Sequence, residues 1–204
     1  MKLNISKLIF SFIILTALSC KVDTSEKPNV FRYNQVNHIT SLDPAFAKSQ
    51  NNIWATHHLF DGLVRLDDSL NVVPSIAKSW KISDDGLTYT FILRDDVKYH
   101  RNACMSTYRR VKARDVSYSL KRLISEELNS PGSWLFTDKV DGPDSFEAVD
   151  DTTFVMQLNQ PFIPMMGILT MQYCSVLPKE CVNYYKSDFR SNPVGTGPFQ
   201  FKRW

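Results

Sequence analysis

The chain has 204 residues, of which 43% are hydrophobic and 12% aromatic, with 24 basic against 21 acidic groups. That apolar content is enough for the core of a folded domain and too high for a disordered chain. The near-balance of charge does not favour nucleic acid as a partner, and four cysteines are too few for a disulfide scaffold.

Residues 1–19 carry the three parts of an export signal. Lys2 and Lys7 form a positive start, Leu8 to Leu15 an apolar run, and Thr16 to Ser19 a small-residue exit. The run is well short of the ~20 apolar residues that a spanning helix needs. Ala17-Leu18-Ser19-Cys20 resembles a lipobox, imperfectly, so Cys20 is the expected lipidation site. Residues 20–28 read as a flexible tether, polar and without apolar periodicity. Cleavage before Cys20 removes two lysines and no acid, leaving 22 basic and 21 acidic groups.

Further along, residues 29–35 alternate like a strand, and Pro44 then holds Asp43 extended. A helix is expected over 49–60, ended by Gly62, and a short strand over 63–66. Pro74 reads as the start of a helical turn carrying Ile76 and Ala77. Asp84-Asp85-Gly86 is a tight-turn signal between Trp80–Ile82 and the alternating Thr88–Leu93, which predicts a hairpin. Val116, Leu120, Leu123 and Ile124 share one face of an amphipathic helix over 112–125. A strand over 152–158, a buried helix over 161–170 and a Pro-started helix over 178–185 complete a mixed α/β or α+β pattern. Phe199, Phe201 and Trp204 alternate like a strand just beginning, and the chain is expected to continue beyond Trp204.

Catalytic and metal signatures find no support. Gly195-Thr196-Gly197 lacks the Gly-Lys-Ser/Thr of a phosphate loop and is bracketed by Pro193 and Pro198. His57 and His58 point about 100° apart on a helix and cannot share a metal. The Asp84, Asp95 and Asp150 doublets sit at turns or strand ends, where Asp satisfies backbone N–H groups. Cys104, Cys174 and Cys181 allow at most one disulfide, of open pairing, with a leftover thiol, and Cys174 and Cys181 are expected to be packed small residues. Trp134, preceded by Ser130-Pro131-Gly132-Ser133, is a loop aromatic and a better binding candidate than the strand aromatics.

Taken together, Ser41-Leu42-Asp43-Pro44, Leu59-Phe60-Asp61-Gly62-Leu63, Pro74 to Trp80, Ser83 to Phe91, Leu93 to His100, Ala113 to Arg122 and Asn192 to Phe199 resemble, in order, the family 5 extracellular solute-binding proteins. These include the oligopeptide-, dipeptide- and nickel-binding components of ABC transporters. The loop from Arg101 to Val111 is longer and more basic than the family's usual turn. The resemblance implies an α/β fold, a periplasmic-binding-protein-like type II lobe with an inserted α+β subdomain, incomplete here. Residues 29–62 and 186–204 would form main-lobe segments and residues 63–185 the insertion. It further implies a lipid-anchored, monomeric binder without cofactor or catalysis. Such a binder sits on the periplasmic side of a bacterial membrane or at the cell surface, and delivers peptides to membrane permease subunits. Ser41, Leu42 and Asp43 are the expected backbone and polar ligand contacts and Trp134 an apolar lid, with turn capping the alternative role for Asp43. Other solutes on the same scaffold, among them nickel and sugars, or a protein partner at the surface, remain alternatives.

Overall fold

The computed structural model describes residues 34–203. The expected signal, the Cys20 attachment point, the tether and most of the 29–35 strand lie outside the described residues. Among the described residues, 37–203 form one compact unit.

The body of that unit is a four-stranded antiparallel sheet in the order β3-β4-β6-β5, made by β3 (Ala77–Ile82), β4 (Thr88–Leu93), β5 (Phe146–Ala148) and β6 (Thr153–Gln157). The β3–β4 hairpin is the one read from the sequence. Asp85 accepts from the Leu87 N–H in its turn, and Gly86 supplies the φ of +71° that an L side chain resists. Alternation gives β4 one sealed face: Tyr89, Phe91 and Leu93 are buried while Thr88, Thr90 and Ile92 are only partly covered. In β6, Phe154 and Met156 take the same side, with Phe154 directly opposite Phe91 and the rings 6.1 Å apart.

Helix α1 (Gln50–Leu59) precedes the sheet in sequence, and the small antiparallel pair β1 (Val64–Leu66) and β2 (Val72–Pro74) leads from it. Pro74 is therefore a strand residue opposite Val64 rather than the start of a helical turn, in a two-stranded ribbon where a missing N–H is tolerated. Helix α2 (Ala113–Leu123) buries Val116, Leu120 and Leu123, as its periodicity requires, and Ser117 Oγ donates to Phe146 O at 2.7 Å to fasten it to β5. Its first turn is stabilised by Asp115, which accepts from the Lys112 N–H at 2.9 Å.

The 161–170 run is not one buried helix. Only α3 (Met165–Ile168) is helical, and Ile163 ahead of it is 97% exposed. Helix α4 (Lys179–Tyr185) follows Pro178 as expected. No strand begins at Phe199: its N–H donates to His58 O at the end of α1, and its ring lies edge-on to His58. Among the described residues no helix is long and apolar enough to cross a membrane.

Candidate functional site

The sequence pointed to Ser41, Leu42 and Asp43, and the geometry around them follows from Ser41-Leu42-Asp43-Pro44. Pro44 starts a 3-10 turn, Pro44–Phe46, and Asp43 caps it by accepting from the Ala45 N–H at 3.1 Å. Ser41 Oγ accepts from the Asp43 N–H, also at 3.1 Å. The carboxylate of Asp43 also accepts two hydrogen bonds from Arg122 of α2, at 3.0 and 2.6 Å, and both side chains are nearly out of solvent. Both oxygens of Asp43 are thus engaged within the protein, which is the capping role with an ion pair added.

Beside this turn lies a cavity of about 760 Å³. Ser41 and Asp43 line it, together with Thr40, Phe46 and Lys48 from the same segment, Arg122 and Leu128 from α2 and beyond, and Val182, Lys186, Ser187 and Arg190 from α4 and the turn after it. Leu42 does not line it: the side chain is buried, and its N–H donates to Arg190 O at 2.8 Å. That bond ties the 41–43 segment to the 3-10 turn Lys186–Ser191. An adjoining cavity of about 960 Å³ shares Arg122, Leu128 and Asn183, so the two form one groove along α2 and α4. Burial raises the phenol of Tyr118 in that second cavity above its ordinary value, with Arg122 opposing the shift.

Trp134 stands in a 3-10 turn, Ser133–Leu135, and is 58% exposed. It lines neither cavity, yet its loop is fixed to the first turn, because buried Ser130 donates its hydroxyl to Ala45 O and accepts from the Gly132 N–H. Gly132 rests on the Tyr173 ring so closely that a β-carbon would sit 2.3 Å from it. The structure therefore brings Ser41, Asp43 and the base of the Trp134 loop together and leaves the indole outward.

The cations of the groove escaped the sequence reading. Arg122 is 79 positions from Asp43, and Lys48, Lys186 and Arg190 are ordinary surface residues by local pattern. The fold alone gathers them.

The basic loop 101–111 is clamped rather than free. Cys104 and Cys181 form a disulfide that ties it to α4, which corrects the expectation that Cys181 is simply a packed small residue. Arg109 holds Asp115 through two bonds at 2.8 and 2.9 Å and Glu180 at 2.8 Å, and Tyr185 donates its hydroxyl to Asn102 at 2.6 Å. Tyr99 packs under the Arg109 guanidinium, and burial, with Asp115 beside it, holds its phenol well above the ordinary value. Cys174 is the leftover thiol; burial pushes it up to about 12, so it is inert as a nucleophile.

Gly195-Thr196-Gly197 makes a structural turn. The Gly197 N–H donates to Leu59 O at 3.0 Å, Thr196 donates to Asp61 at 2.8 Å, and His100 Nε2 lies 2.8 Å from Gly197 O. His57 and His58 face different partners, Gln172 and Phe199. Among the described residues no group of His, Cys, Asp and Glu is placed to hold a metal.

Comparison with known proteins places this architecture. Residues 71–204 match the bacterial extracellular solute-binding proteins, family 5, middle region. A di/tripeptide-binding protein of Pseudomonas aeruginosa is 32% identical over 163 residues, which cover 74% of this chain and 31% of that protein. The periplasmic binding protein DppA of Helicobacter pylori, solved with the peptide STSA, superposes with a TM-score of 0.71 at 32% identity, covering 81% of this chain and 35% of DppA. NikZ of Campylobacter jejuni, solved with Ni(L-His), gives 0.68 at 31% identity, covering 82% and 32%. The chain spans about a third of the length of these relatives. The mixed architecture is part of a type II periplasmic-binding fold, and the chain belongs to the bacterial extracellular solute-binding proteins of family 5.

Proposed function

We propose that the protein is the peptide-binding component of an ABC transporter, exported and held at a membrane by lipid on Cys20. It acts by binding rather than by catalysis. The observation that carries the reading is the 32% identity shared with both a di/tripeptide-binding protein and a peptide-bound DppA. The groove between the Ser41–Lys48 segment and α4 is the wall this chain contributes, with Ser41 and Asp43 framing it and Trp134 as an outlying apolar contact. Residues 29–62 and 186–204 belong to the main lobe and residues 63–185 to an inserted subdomain. Closure of two lobes on the ligand is the conformational signal that a monomeric binder passes to its permease.

Thermal unfolding of the full-length protein with di- to pentapeptides tests this. A site-specific ligand raises the melting temperature with concentration. No shift with any peptide sinks the reading. The likeness to NikZ supports a second one, a nickel–amino-acid complex as ligand, for which Ni(L-His) in the same assay is the deciding arm. Labelled palmitate tests the anchor: incorporation into the wild type and none into Cys20→Ser is the expected pair of results.

A further inference from the structure

The cavity beside Asp43 has a charge asymmetry that peptide binding as such does not require, and that the adjoining cavity, with Asp115, Glu127 and Glu180, does not share. Asp43 is the one carboxylate that lines the cavity, and Arg122 neutralises it through two hydrogen bonds. Three cations are then left over: Lys48 from the first turn, and Lys186 and Arg190 from the turn after α4. Among the described residues none of the three side chains has an ion-pair or hydrogen-bond partner. Asp188 lies on the same turn as Lys186 and Arg190 but does not line the cavity. Phe46, Leu128 and Val182 supply an apolar wall beside the three cations, which are themselves exposed at the cavity mouth. Thr40, Ser41 and Ser187 add hydroxyls around the same space.

A pocket of that composition discriminates in both directions. A carboxylate entering it gains unpaired donors without breaking an existing pair, because Asp43 and Arg122 already satisfy each other. An ammonium entering it meets three cations and no unpaired acid among the residues that line this cavity; Glu127 lines the adjoining one. Specificity is the difference between these two free energies, so the repulsive arm counts as much as the attractive one.

We propose that this cavity is a side-chain subsite selective for peptides bearing a carboxylate, with Lys48, Lys186 and Arg190 as the specificity-determining residues. The proposal rests on the peptide-binding reading and adds the chemical class of peptide. Phe46 and Leu128 receive the methylenes of a glutamyl side chain, while the three cations surround its head.

The test is calorimetric titration of the full-length protein with Ala-Glu-Ala, Ala-Gln-Ala and Ala-Lys-Ala, at low and at moderate salt. The glutamyl peptide is expected to bind about tenfold tighter than its glutamine isostere at low salt, and the lysyl peptide weakest, with the ratio shrinking as salt is added. In the triple variant Lys48→Gln, Lys186→Gln, Arg190→Gln the Glu-to-Gln ratio is expected to fall to about one. The control Lys81→Gln, on exposed β3 and away from the groove, is expected to keep the wild-type ratio. Equal binding of the three peptides by the wild type overturns the inference and leaves peptide binding standing, as does a preference for the glutamyl peptide that persists in the triple variant. Binding of none of the three removes the peptide reading and this inference with it.

Discussion

Across the sheet, cohesion comes from apolar faces. Phe91 opposes Phe154, Met156 opposes Tyr89, and α2 closes the layer with Val116, Leu120 and Leu123. Around α4 and the first turn the same close packing is reached with polar and covalent links: Asp43 with Arg122, Arg109 with Asp115 and Glu180, Cys104 with Cys181, and Leu42 with Arg190 through the backbone. The difference teaches where each region gets its specificity. An apolar face tolerates a volume-conserving swap at a modest cost and resents only a void, whereas a buried charge that loses its partner has no alternative one. The groove lies along the second region, which is why its walls are rich in charged side chains.

The contrast can be broken at its apolar end by Phe154→Ala, which opens a void opposite Phe91. A loss of about 4 kcal/mol is expected in urea unfolding, with no change in the Asp43–Arg122 geometry. At the polar end, Arg122→Met strands the Asp43 carboxylate in a nearly dry site and is expected to cost about 3 kcal/mol. Adding Asp43→Leu should restore most of that, which no partner mutation does for Phe154. Reducing the disulfide frees a link between positions 77 apart and is expected to lower stability by about 3 kcal/mol, measured by unfolding with and without a reductant. If reduction left the midpoint unchanged, the Arg109 network alone would be holding the basic loop.

The smallest effect sharpens the comparison from the solvent side. Asp150 is fully exposed, and hydrogen bonds from Thr152 and Thr153 lower its carboxyl to about 2 from 3.8. A depressed folded value means that the contribution is fully present above the unfolded value and is lost as pH falls through about 2. Asp150→Ala should therefore unfold with less acid dependence between about pH 4 and pH 2 than the wild type. An identical acid limb in the two proteins would remove the turn at Asp150 from the account.

Local pattern made the apolar half readable. The hairpin around Gly86 and the helix through Val116 and Leu120 follow from periods of two and 3.6 with a turn signal between, and each needs only its own neighbours. Pro74 misled because a proline starts helices and also sits in edge ribbons, and the choice depended on Val64 lying opposite. The 161–170 run misled in another way: apolar residues in a row read as buried, yet Ile163 projects outward. The motif drew attention to Ser41 and Asp43, and both line the cavity. Arg122, Lys186 and Arg190 reach it from positions far along the chain, and nothing local marks a lysine as facing a cavity. Pairing among three cysteines was equally closed to sequence, since it required the distance between the basic loop and α4.

The return of the chain to α1 has a consequence for tolerance to substitution. A β-carbon on Gly195 would stand 2.0 Å from Leu59 O, and one on Gly197 would stand 2.6 Å from Leu59 C. Both obstacles are backbone, so no side chain can turn aside to make room. Gly167, by contrast, faces open space. In a saturation scan the first two should therefore behave as all-or-nothing sites, rejecting even alanine, while Gly167 accepts most replacements. Two passages of chain far apart in sequence are in effect riveted at the thickness of a hydrogen atom.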